Sequence, residues 1–204
     1  MKKTILILTM VLLLVPAGLF AGVFDLSLGV TAQNKMGYDA TSGEFDEDMF
    51  TDVENYAFGG DIRMRLLFAE VGIMGLYSQT AAEETRIDGI LTGGLSLDLL
   101  GLVRVGLGMG PRMTVVEETG GWKVYGPDNT AIDEDTDFES ALMNAPMTYR
   151  ATVDLKLGKI LLGLNYTVDS NGFTFDEPNP VNLMPDDAAW GNGRIGASVL
   201  FTIF

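Results

Sequence analysis

From residue 24 onward, apolar and polar positions alternate with a period of two, the signature of strands with one apolar face. Phe24, Leu26, Leu28, Val30 and Ala32 form one row, and Asp25, Ser27, Gly29 and Thr31 the other. The same alternation recurs over 56–66, 69–78, 87–98, 103–112, 147–157, 160–168 and 194–203. Eight strands result, each close to the 9–11 residues with which a tilted strand crosses a bilayer. Three connections are tight, at Leu67–Phe68, Leu100–Gly101 and Gly158–Lys159. Four are longer, at 33–55, 79–86, 113–146 and 170–189. An even strand count puts both chain ends on the side of the tight turns. Within the third long connection, Met113–Val116 and Trp122–Tyr125 either extend strands five and six as a hairpin or fold over the mouth.

The first residues follow a different rule. Lys2 and Lys3 make a positive start, Thr4 to Phe20 is almost wholly apolar with a breaker at Pro16, and Ala21 is small. This is the pattern of a secretory signal peptide, with cleavage expected after Ala21, although Leu19 replaces the usual small residue. The competing reading, a membrane anchor, has a run short of the ~20 apolar residues that a spanning helix needs. The organisation is therefore a signal over residues 1–21 and one β domain over 22–204.

The opposite rows of the strands carry every strand charge: Asp25, Asp61, Arg63, Arg65, Glu70, Asp88, Asp98, Arg104, Arg112, Arg150, Asp154, Lys156 and Arg194. Six acids and seven bases nearly cancel, as the inside of a narrow barrel requires, where an unpaired charge is costly and a paired one is tolerated. The apolar rows carry no charge and so are expected to face lipid. Tyr56, Tyr77, Tyr149 and Tyr166 all fall on the apolar row at the long-loop end, with Trp190 close by, the layout of an interfacial aromatic girdle. Open sheet edges are not tolerated in lipid, so the strands should close into a barrel.

The terminal Phe204 on an alternating last strand resembles the assembly signal of bacterial outer-membrane barrels, although Phe204 is one step out of phase with Phe201 and Ile203. Taken whole, residues 23–204 resemble the small eight-stranded outer-membrane barrels of the OmpX, OmpW and OmpA-membrane-domain types. The resemblance implies an all-β, antiparallel, up-and-down transmembrane barrel in the outer membrane of a diderm bacterium, with both termini in the periplasm. It also implies two partners: the lipid bilayer and the barrel-assembly machinery, which would engage the C-terminal strand.

Composition narrows the chemistry. Among 204 residues, 13 basic and 28 acidic side chains leave a formal charge of −15, which excludes an electrostatic nucleic-acid binder. There is no cysteine and no histidine, so thiol nucleophiles, disulfides and histidine-dependent hydrolysis are ruled out. No enzyme activity and no cofactor are expected. Of the 28 acids, 22 lie in or beside the long connections, making the outward end strongly negative. Asp133, Asp135 and Asp137 match the first three ligand positions of a calcium loop, but Phe138 and Asn144 stand where glycine and glutamate belong, so no EF-hand is read here. A looser oxygen site at the three aspartates is the one metal candidate.

Met74, Leu76 and Ile90 are apolar residues on the inward rows near the loop end, and form a candidate apolar pocket. Three functions fit the pattern: a non-enzymatic outer-membrane barrel acting as a narrow channel, for example for small hydrophobic solutes, or in membrane integrity; a surface adhesin binding extracellular partners through its acidic loops; and a soluble periplasmic ligand-binding barrel.

Overall fold

The computed structural model describes residues 24–36, 38–39, 44–45, 50–51, 55–79, 84–118, 121–126, 138–176, 178–191 and 193–204. The alternating segments form eight antiparallel strands: β1 (Phe24–Lys35), β2 (Tyr56–Leu66), β3 (Ala69–Gln79), β4 (Thr85–Leu99), β5 (Val103–Glu118), β6 (Met147–Leu157), β7 (Ile160–Asp169) and β8 (Arg194–Thr202). Each pairs with its neighbours in sequence, and β8 pairs with β1, so the sheet closes on itself. Closure leaves no edge in the ring, and the strand hydrogen bonds are satisfied within it.

The tight turns lie where the sequence places them. Leu67 and Leu100 take left-handed backbone angles (φ 59° and 52°) without being glycine, and Gly158 does so at φ 64°. These turns and both ends of the described chain share one end of the barrel, here the turn end; the other is the loop end.

Polarity is inverted relative to a protein with an apolar interior. Outward residues such as Val30, Ile73, Leu95, Leu107 and Leu164 are exposed, whereas the largest fully buried side chains include Arg63 and Arg104. Period-two alternation sends one row to the lumen and the other out, and here the charged row is the inward one. An eight-stranded interior is just wide enough for side chains to fill.

Inward glycines serve two purposes. At Gly59 a Cβ would lie 1.7 Å from the Gly75 carbonyl oxygen, so the neighbouring backbone approaches too closely for any side chain. At Gly163 a Cβ would meet the Asp154 carboxylate at 2.2 Å, so this glycine makes room for a lumen charge.

At the loop end the elements run further than the alternation predicts. β5 continues to Glu118 and pairs with Gly121–Tyr125, Glu118 lying opposite Gly121 and Thr114 opposite Tyr125. The hairpin therefore stands on β5 alone: β6 starts only at Met147, after a short helix over Phe138–Met143. Two-residue strands Tyr38–Asp39 and Glu44–Phe45 pair within the first long connection. Strand β8 ends at Thr202, and the Phe204 ring lies 6.4 Å from that of Phe24. The phase mismatch of the last residue is thus resolved by the chain leaving the strand rather than by a bulge.

Candidate functional site

The lumen is the candidate site. In a ring of eight strands, each strand faces the one four places away, and ion pairs connect such opposite strands at three levels.

At the turn end, Arg104 of β5 reaches across to Asp25 of β1, 2.5 Å away, and its Nε bonds Asp98 at 2.9 Å. Asp98 also accepts from Lys156 at 2.6 Å and Arg65 at 3.0 Å. In mid-barrel, β2 and β6 are joined twice. Arg63 donates to both oxygens of Asp154, at 3.0 and 2.7 Å, and Arg150 donates to both oxygens of Asp61, at 3.0 and 2.5 Å. Arg63 also bonds Asp61, two residues away on its own strand, at 2.9 Å. All four side chains are at most 4% exposed. At the loop end, Arg194 of β8 crosses to Asp88 of β4 at 2.9 Å. Asp88 also takes Arg86 at 3.1 Å and the Thr114 hydroxyl at 2.6 Å. Beside it, Asp169 accepts from Arg112 at 2.6 Å and from the Thr148 hydroxyl at 2.5 Å.

Twelve of the thirteen lumen charges singled out from the sequence make ion pairs within this arrangement. Glu70 differs. It faces the lumen beside a cavity of about 10 Å³ that Thr92, Arg150 and Thr152 also line, and its Oε2 is buried without a hydrogen-bond partner. Arg86 and Asp169 join the network although by sequence Arg86 falls in a long connection and Asp169 stands beside one. Both stand at strand ends, where alternation gives way to loop composition, but each retains the inward parity of its strand.

Met74, Leu76 and Ile90 are buried against one another together with Ala57. They pack as an apolar cluster in the wall of the lumen; a wider space of about 340 Å³ lies elsewhere at the loop end, lined by Lys35, Arg86, Arg112, Thr167, Asp169 and Arg194. Asp133, Asp135 and Asp137 lie outside the described residues, as do the signal residues 1–21.

Of the residues expected to form a girdle, Tyr77 is exposed on the outer face, directly across from Phe58. Three other tyrosine hydroxyls reach loop carbonyls: Tyr56 bonds Phe50 at 3.0 Å, Tyr149 bonds Leu183 at 2.9 Å, and Tyr166 bonds Trp190. The Tyr166 and Trp190 rings stack with centroids 6.4 Å apart. The aromatic residues at this end thus tie loop segments to the barrel wall.

No family model matches the chain, and no curated protein matches it. Among solved structures, it is similar to the solution NMR structure of the de novo designed TMB2.3, at 12% identity and a TM-score of 0.45, covering 90% of this chain and 98% of that one. It is likewise similar to the crystal structure of Neisserial surface protein A, at 11% identity and a TM-score of 0.45, covering 89% of this chain and 96% of that one.

Proposed function

We propose that this protein is a non-enzymatic outer-membrane β-barrel with a lumen closed by its own ion pairs, and that its role is structural rather than that of an open channel. The carrying observation is the set of ion pairs joining opposite strands through the lumen, centred on the buried Arg63–Asp154 and Arg150–Asp61 bridges.

Such pairs suit a barrel whose outer face is solvated by lipid. The outward rows expose leucine, isoleucine, valine and phenylalanine along every strand, while buried charges fill the interior. A soluble ligand-binding barrel calls for the reverse, an apolar interior under a polar coat. The turn end favours a deep seat in the bilayer, since Leu67, Phe68, Leu100 and Leu102 are exposed around it. Phe204, set against Phe24 on that rim, is the feature that the assembly machinery would engage.

The closed lumen favours structure over passage. A solute crossing mid-barrel would have to break both of the doubly bonded arginine–aspartate bridges, each charge-assisted and out of water. The ~10 Å³ cavity beside Glu70 has room for about one water molecule and is too small for a solute.

The test is refolding of the full chain into detergent and then planar bilayers. A heat-dependent gel shift, extraction from membranes only by detergent, and no discrete conductance steps are expected. Conductance steps from the folded protein would make it a channel. Folded protein that stays in solution without detergent would make it a soluble barrel.

A further inference from the structure

We propose that the loop end of the lumen is a binding site for a small phosphate-type dianion, held by Lys35, Arg86, Arg112 and Arg194. All four project inward, from β1, β4, β5 and β8, and line the cavity of about 340 Å³.

The charge balance singles out this level. The turn-end layer has three bases against Asp25 and Asp98, and the middle layer has two bases against Asp61, Asp154 and Glu70, so the two layers cancel. Among the described charges that line the loop-end cavity or pair with its lining cations, Lys35, Arg86, Arg112 and Arg194 face Asp88 and Asp169, a surplus of two positive charges within this cluster. Asp88 is already shared by Arg86 and Arg194, and Asp169 is held by Arg112. Lys35 has no ion partner among the described residues, and the Nε of Arg112 is buried without a hydrogen-bond partner.

Guanidinium groups match the oxygens of a phosphate by paired N–H donors, and an ammonium adds a mobile point charge. Low-dielectric walls concentrate the field of such a cluster on the solute inside it. The volume falls in the range of small-ligand pockets, with room for a phosphate monoester as well as the bare ion. Below the cavity, the Asp88 cluster and the mid-barrel bridges form a floor, so the site holds its ligand rather than passing it on. The site depends only on ring closure, and its test runs in micelles, so it stands or falls separately from the membrane reading.

The experiment is calorimetric titration of the refolded full chain with inorganic phosphate, in zwitterionic detergent at low ionic strength, folding being checked by the gel shift. One saturable site is expected. Lys35→Gln should weaken it by about tenfold, the loss of one charge-assisted contact. Asp169→Asn, which removes a competing negative charge, should tighten it. Lys156→Gln, at the other end of the lumen, should leave it unchanged. The opposed signs separate a ligand site from general damage to the fold. Absence of saturable binding, or equal affinity in the Lys35 and Asp169 variants and the parent chain, would overturn the proposal. So would binding of a short-chain phosphatidate without binding of inorganic phosphate, which would assign the cations to a lipid headgroup.

Discussion

Asp154 illustrates what a single lumen residue carries. It is fully buried and accepts two bonds from Arg63 across the barrel. Asp154→Ala leaves a buried guanidinium charge incompletely paired and should cost about 3–5 kcal/mol, read from urea unfolding of the refolded barrel. The double change Arg63→Met with Asp154→Leu should recover most of that loss, because Asp61 keeps Arg150 as its partner and no buried charge is left alone. If the double variant is as weak as the single, the bridge is not the source of the loss. Gly59 makes a second case. Its Cβ would run into the Gly75 carbonyl, so Gly59→Ala should destabilise by about 1–3 kcal/mol. Gly75→Ala, with nothing within 4 Å of the new methyl, should be neutral or slightly stabilising in the same assay. At this scale the sequence is legible as facing but not as pairing. Parity sends Arg63 and Asp154 inward, yet they are joined only because β2 and β6 stand four strands apart in a closed ring. Arg86 and Asp169 escape a sequence reading because the alternation that marks inward residues fades at their strand ends, and Lys35 because its strand ends in a polar run.

The strands themselves are the most legible element, since each must expose an apolar row and bury a polar one. β6 tests why that row is apolar. Val153, at mid-strand and 52% exposed, sits between Val105 and Leu164 on the outer face, whereas Leu157 is the last residue before a tight turn. With lipid as the solvent, Val153→Arg should cost about 2–4 kcal/mol and Leu157→Arg about 0–1 kcal/mol, measured by reversible unfolding in vesicles. An exposed position in water would respond by less than ~0.5 kcal/mol at either site, so equal small effects would argue against a lipid-facing row. Less legible are the strand limits at the loop end. Beyond the band of exposed apolar residues, a strand no longer needs a clean apolar row: Val116 points inward and is buried, breaking the alternation, yet β5 carries on to Glu118 because Gly121–Tyr125 supplies its hydrogen bonds.

On the scale of the molecule, the barrel is polarised along its axis. One end gathers the tight turns, the described chain ends and a rim of leucine and phenylalanine; the other gathers the long connections and the cationic cavity. On the proposed outer-membrane reading, that asymmetry predicts that the loop end faces out. Tight turns cross a bilayer easily during assembly, whereas the long, acid-rich connections belong in water on the far side. The chain contains no cysteine, so single-cysteine reporters can read the orientation without background. Trp122 is exposed on the hairpin above the loop end, and Lys159 is exposed in a tight turn at the opposite end. In intact cells, a membrane-impermeant maleimide should label Trp122→Cys and spare Lys159→Cys, which should react only once the outer membrane is permeabilised. The reverse pattern would invert the barrel and put the cationic cavity on the periplasmic side. Labelling of both in intact cells would mean that no membrane separates the two ends, and the exposed apolar rows would then need another partner. The expected pattern opens the phosphate-type site toward the outside. An anion approaching a chain of formal charge −15 meets long-range repulsion, so its on-rate should rise with ionic strength even as its equilibrium affinity falls.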